Sequence, residues 1–108
     1  MTSAPDQIAT LYATVLARRA ADPSASYVAK LTARGRAKIA QKVGEEGLET
    51  ALAAVGEGRA QVIAESADLL FHLAVLWADC GITPDDVMAE LARREGTSGL
   101  AEKAARKD

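Results

Sequence analysis

A chain of 108 residues, 49% hydrophobic and 26% charged, has room for one domain, expected over residues 1–108, and is too apolar to be disordered. A net charge of −2 gives no drive toward nucleic acid, and a single cysteine, Cys80, excludes a disulfide framework and a thiolate metal site. The first ten residues hold no basic start followed by an apolar run, and the uncharged stretch Leu69 to Ala78 is too short to span a bilayer. The cytoplasm is therefore the expected compartment, with no membrane partner. Aromatic residues are only 4%, so the core is expected to be Ala, Leu and Val on closely packed helices. A chain this short buries only about 60–65% of its unfolded surface, which makes self-association, most simply as a homodimer, an expectation.

Helix punctuation is frequent, while alternating runs and hairpin dipeptides are absent. Ser3-Ala4-Pro5-Asp6 reads as a cap, and Ile8, Leu11, Tyr12, Val15, Leu16 and Arg19 keep a helical period to about Ala20. Asp22-Pro23-Ser24 marks a loop. Ser26 can cap a short helix that Gly35 ends. A third helix is expected from Arg36 to Val55, stopped by Gly56-Glu57-Gly58, and a fourth from Arg59 to Cys80, ended by Gly81 in a left-handed conformation. Thr83-Pro84-Asp85-Asp86 is a helix start with cap, proline and dipole-matched acids, and that helix ends near Glu95-Gly96. Residues 97–108 read as a polar tail or a weak helix. The expected fold is all-α, a small bundle of four to five helices around a central antiparallel pair.

The third helix divides into two faces. Ala40, Val43, Gly47, Leu48, Ala51, Leu52 and Val55 share one side. Lys38, Lys42, Glu45, Glu46 and Glu49 gather within an arc of roughly 100° on the other. A solvated stripe of lysine–glutamate pairs is the simplest account. Yet Lys before Glu is the less favourable order, and Gly44 and Gly47 weaken a helix that has no need of them. Glycines beside acids suggest that something approaches the backbone closely.

The fourth helix carries only two charges between Val62 and Trp77, Glu65 and Asp68, three residues apart and so on one face. A helix apolar on nearly every side is normally buried, and two buried carboxylates repel unless a cation or a proton intervenes. Internal salt bridges would also serve. Glu49 lies seven residues before Gly56 and Glu65 seven after Gly58, so the turn sets Glu46 and Glu49 opposite Glu65 and Asp68. Four carboxylates between two helices form a hard-oxygen site for Mg²⁺, or Mn²⁺, suited to clamping phosphate oxygens and activating water. Lys30, Arg34, Lys38 and Lys42 could neutralise the remaining phosphate charge. His72, one turn beyond Asp68, reads as a hydrogen-bonded core histidine that orients Asp68. Phe71 and Trp77 read as core or dimer contacts, and Cys80 as structural.

Glu45-Glu46-x-x-Glu49 followed by Glu65-x-x-Asp68 resembles the signature of the all-α, MazG-like nucleoside triphosphate pyrophosphohydrolases. The stretches Ser26 to Leu31, Lys38 to Gly47, Ala67 to Leu73 and Thr97 to Lys103 are similar to the phosphoribosyl-ATP pyrophosphohydrolases of histidine biosynthesis. The resemblance implies hydrolysis of phosphoribosyl-ATP to phosphoribosyl-AMP and pyrophosphate. It implies Glu46, Glu49, Glu65 and Asp68 as metal ligands, Glu45 to orient or deprotonate the attacking water, and Lys30, Lys38 and Lys42 on the phosphates. It also implies a dimer in which paired subunits complete the site. A house-cleaning pyrophosphohydrolase acting on dCTP, dUTP or a damaged nucleotide would use the same acids; the lysines and the Ser98-Gly99 tail favour phosphoribosyl-ATP. A non-catalytic helical dimer or adaptor would leave Glu65 and Asp68 unexplained.

Overall fold

In the computed structural model, which describes residues 2–96 and 99–106, six helices follow one another: α1 (Ala4–Arg19), α2 (Tyr27–Arg34), α3 (Arg36–Gly56), α4 (Arg59–Cys80), α5 (Pro84–Arg94) and α6 (Gly99–Arg106). No strand occurs among the described residues. The bundle thus has one helix more than the four to five expected, because residues 99–106 coil into α6 where a tail or weak helix was read. Thr97 and Ser98 lie outside the described residues.

The punctuation acts as its chemistry dictates. Ser3 Oγ accepts the Asp6 N–H at 3.3 Å, and Ser26 Oγ accepts the Ala29 N–H at 3.1 Å, each satisfying a donor that a helix start leaves open. Thr83 and Asp86 form a reciprocal capping box, at 3.2 and 2.9 Å, behind Pro84. Gly81 ends α4 at φ 71°, ψ 26°, the left-handed conformation that glycine adopts without a Cβ penalty.

The core joins Val15 of α1, Val28 and Leu31 of α2, Ile39 of α3, and Ala74, Val75 and Ala78 of α4, with Leu11, Tyr12, Phe71 and Leu76 packed around it. It therefore sits at the end of the α3–α4 pair where α3 begins and α4 finishes. Polar ties converge on the same end. Arg19 Nη1 donates to the Ala78 carbonyl at 3.0 Å, Arg36 binds both the carboxylate (2.7 Å) and the carbonyl (2.9 Å) of Asp79, and Tyr12 Oη donates to the Ile82 carbonyl at 2.7 Å. The last turn of α4 contains no basic residue, so α1 and α3 supply the cations that its open carbonyls favour.

The expectation of a buried α4 needs correction, and α3 shows the same uncovered apolar surface. On α3 the buried residues are Ile39, Glu46 and Ala53, whereas Leu48 (61% exposed), Leu52 (57%) and Val55 (89%) face outward with Ala40 and Ala51. The acidic face turns toward α4, with Glu46 and Glu49 standing opposite Glu65. On α4 only His72, Ala74, Val75 and Ala78 are buried, and Ile63 and Leu70 stand exposed. Toward the 57–58 turn, Leu48, Leu52 and Val55 of α3 and Ile63 of α4 are left uncovered by the other described residues.

Candidate metal and phosphate site

The site is built where α3 and α4 run side by side beyond the core. Oxygen atoms of Glu46, Glu49 and Glu65 all lie within 4.8 Å of one another. Glu46 and Glu49 are one turn apart on α3, and Glu65 reaches them from α4 because the short turn at residues 57–58 returns the chain antiparallel at matching height. Glu46 is buried, Glu65 half-buried and Glu49 exposed, so the cluster opens to solvent on one side.

Hydrogen bonding identifies what the cluster lacks. Glu65 Oε1 accepts from Gln61 Nε2 at 2.8 Å, but Glu65 Oε2 and Glu46 Oε2 are buried and meet no donor among the described residues. Buried carboxylate oxygens without partners are costly, and three carboxylates converging repel one another. Lys42 Nζ, 4.0 Å from Glu46 Oε1, is the nearest compensating charge and touches only one edge of the group. A hard divalent cation fits this donor set: all-oxygen, anionic, and with lone pairs left open toward a common centre.

Asp68 is not brought into the group. Its side chain is exposed, and its main-chain carbonyl accepts from His72 Nδ1 at 2.8 Å. His72 is a buried, hydrogen-bonded histidine, but its partners are that carbonyl and the Tyr27 hydroxyl, 3.0 Å from Nε2, rather than the Asp68 carboxylate. With Nδ1 donating to a carbonyl, neutral His72 has Nε2 free to accept, so Tyr27 donates. Glu45 likewise lies outside the cluster. Gln41 donates to its Oε2 at 2.9 Å and Lys42 Nζ sits 3.2 Å from its Oε1, and these bonds hold its carboxyl below the ordinary glutamate range. The same bond to Glu45 holds the Lys42 ammonium above the ordinary lysine range, with smaller contributions that include the charge of Glu46.

Beside the acids lies a cavity of about 190 Å³ lined by Tyr27, Lys30, Leu31, Arg34, Lys38 and Lys42. Lys30, Lys38 and Lys42, separated by up to twelve residues in sequence, therefore meet at one surface, and Lys42 borders both the cavity and the carboxylates. Cations beside a carboxylate cluster able to hold a divalent metal form an arrangement suited to a polyphosphate chain. Tyr27 is the element that sequence spacing did not reveal, since 45 residues separate it from His72. Gly44 and Gly47, expected to admit a close neighbour, meet nothing of this chain within 4 Å of an added Cβ. Cys80, read as structural, is exposed.

A helical bundle with carboxylates across an antiparallel hairpin and cations beside them is the arrangement that the resemblance to the all-α pyrophosphohydrolases implies. Residues 8–95 match the family described as phosphoribosyl-ATP pyrophosphohydrolase. The chain is 61% identical over 103 residues to the phosphoribosyl-ATP pyrophosphatase of Rhodospirillum rubrum, covering 95% of this chain and 88% of that one. It is 64% identical over 97 residues to that of Azospirillum brasilense (90% and 87% covered) and 62% over 106 to that of Rhizorhabdus wittichii (98% and 97%). The chain belongs to the phosphoribosyl-ATP pyrophosphohydrolase family.

Proposed function

We infer that the chain hydrolyses phosphoribosyl-ATP, with one water, to phosphoribosyl-AMP and pyrophosphate, a step of histidine biosynthesis. Family membership supports the substrate, and the observation that carries the chemistry is the Glu46–Glu49–Glu65 cluster with its unpartnered buried oxygens beside four cations. Glu46, Glu49 and Glu65 would hold Mg²⁺ (Mn²⁺ offers the same hard acid), and Asp68, one turn from Glu65, would complete the set by turning its exposed carboxylate inward. When bound, the ion supplies charge neutralisation of the phosphate oxygens and a water acidic enough to act as nucleophile near neutral pH.

The chain's own residues do the rest. Lys30, Lys38 and Lys42, with Arg34, bind the triphosphate and draw its charge toward the cluster. Lys42, held by Glu45 and close to Glu46, is placed to switch from carboxylate to phosphate once the acids are neutralised. Glu45, its basicity lowered by Gln41 and Lys42, suits orienting the water better than deprotonating it.

The working unit is a homodimer. The chain exposes 7181 Å² against about 5,700 Å² expected for a compact monomer of 11.3 kDa. Its radius of gyration is 15.7 Å where about 13 Å is usual at this length. Leu48, Leu52 and Val55 of α3 with Ile63 and Leu70 of α4 supply the apolar surface for a second copy. The compartment is the cytoplasm. By length and composition α4 could cross a membrane, at a mean hydropathy of 1.3 over its most apolar window. Glu65 and Asp68 would then lie mid-helix, at roughly 2.5–3.5 kcal/mol for the aspartate alone at the bilayer centre.

The test is pyrophosphate release from phosphoribosyl-ATP with Mg²⁺. Glu49→Gln and Glu65→Gln should each lower kcat by about a hundredfold or more while the protein stays folded. Full activity in both would remove the carboxylates from the mechanism.

A further inference from the structure

A second cavity, of about 440 Å³, adjoins the cationic one, and the two share Tyr27. Its walls include Arg18 from α1, Ser26 and Tyr27 at the start of α2, and Phe71 from α4. Nothing in the metal chemistry uses it. The cationic cavity, at about 190 Å³, is smaller than the roughly 300–1,000 Å³ that a ligand the size of a nucleotide commonly occupies. The second cavity falls within that range.

The wall between them is fixed in place. Tyr27 and Phe71 stack with ring centroids 6.0 Å apart and planes 20° from parallel. The Tyr27 hydroxyl is anchored on buried His72, itself held by the Asp68 carbonyl one turn after Glu65. Tyr27 is nonetheless 48% exposed, so an immobilised aromatic surface lies open where the two cavities meet. Arg18, on the far side, makes no side-chain hydrogen bond or ion pair among the described residues, although a guanidinium fork beside a cavity suits a phosphate.

Resting on the substrate reading above, the chemistry of phosphoribosyl-ATP supplies a match. That molecule is anionic at both ends: a triphosphate on one ribose and a single phosphate on a second ribose attached to the adenine. With the triphosphate over Lys30, Lys38 and Lys42, the base and second sugar can reach the larger cavity past Tyr27, which borders both. We propose that the cavity lined by Arg18, Ser26, Tyr27 and Phe71 receives the phosphoribosyl end of the substrate. Arg18 binds the phosphate that ATP lacks there, and Tyr27, positioned by His72, flanks the base. Arg18 is thus a specificity-determining residue, distant from the reacting phosphorus.

The experiment compares binding of phosphoribosyl-AMP and AMP to the full chain and to Arg18→Gln, with kcat and KM for phosphoribosyl-ATP measured alongside. Arg18 is exposed on the solvent side of α1, so the variant should fold, which its melting temperature and helical circular dichroism report. The proposal expects the ratio of affinities, phosphoribosyl-AMP over AMP, to fall about tenfold or more, with the loss in turnover appearing in KM. Arg18→Lys should restore part of the ratio. An unchanged ratio in Arg18→Gln, in a protein that still prefers phosphoribosyl-ATP, would overturn this subsite and leave the substrate assignment standing. If the unaltered chain itself fails to distinguish phosphoribosyl-ATP from ATP, the substrate assignment falls and the subsite with it.

Discussion

Glu46 carries the sharpest tension in the chain: 7% exposed, one oxygen without a donor, two further carboxylates within 4.8 Å. Such a residue lowers stability for the sake of a ligand, so Glu46→Gln should melt higher than the unaltered chain when metal is absent. Relief of about 1 kcal/mol corresponds to roughly 4–8 °C at this size, and the variant should lose the Mg²⁺-dependent rise in melting temperature. A lower metal-free melting temperature would mean that the carboxylate is satisfied without a cation. Glu90 is the opposite case, an exposed acid gripped by Arg93 and Arg94 and so lowered to about 2 from the ordinary 4.5. Its folded value lies below its unfolded one, so its stabilising effect is complete above pH 4.5 and fades as pH falls through about 2. A carbon-detected titration should show its midpoint near 2 in the intact chain, moving toward 4.5 in Arg93→Ala/Arg94→Ala. The acids of the site were legible in sequence because spacing on a helix fixes direction. Which side chains complete the cluster was not: Glu65 joins it and Asp68 stays exposed, a difference that spacing cannot carry.

At the level of the element, boundaries followed from chemistry that is local. Ser3, Ser26, Thr83-Pro84 and Gly81 each satisfy or end a helix using atoms within a few residues, and the observed bounds lie within a residue or two of those read from the sequence. Thr83→Ala should remove the capping box at a cost of about 1 kcal/mol in chemical denaturation, without affecting turnover. Gly44 tests a different expectation. It is exposed in mid-helix and an added Cβ meets nothing of this chain, so Gly44→Ala should stabilise by about 0.5–1 kcal/mol. A loss of stability or of activity would show that a substrate or a second subunit does come close to the backbone there, as the sequence suggested. Periodicity separated an apolar side of α3 from a polar one without saying which partner each side meets. Glu46 turns inward because the hairpin builds a polar site in its own seam.

For the whole molecule, the exposed apolar sides of α3 and α4 explain why the expectation of a buried α4 failed for a single chain. If the proposed homodimer forms through this face, Leu52→Glu with Val55→Glu should yield monomers in sedimentation equilibrium where the unaltered chain yields dimers, whereas a monomeric unaltered chain at tens of micromolar would remove that face as an interface. The all-α architecture was readable throughout. The meeting of Tyr27, Arg18 and the lysines was not, since it depends on how α1 and α2 pack across α4.

Whether this carboxylate hairpin serves phosphoribosyl-ATP is tested most directly by a single competition assay: pyrophosphate release with Mg²⁺ from phosphoribosyl-ATP, ATP, dCTP and dUTP at equal concentration. The kcat/KM for phosphoribosyl-ATP should exceed the others by at least about a hundredfold, and Glu49→Gln should lower it by about a hundredfold or more. Comparable or faster turnover of dCTP or dUTP would contradict the assignment and place the same acids in a nucleotide-cleansing enzyme.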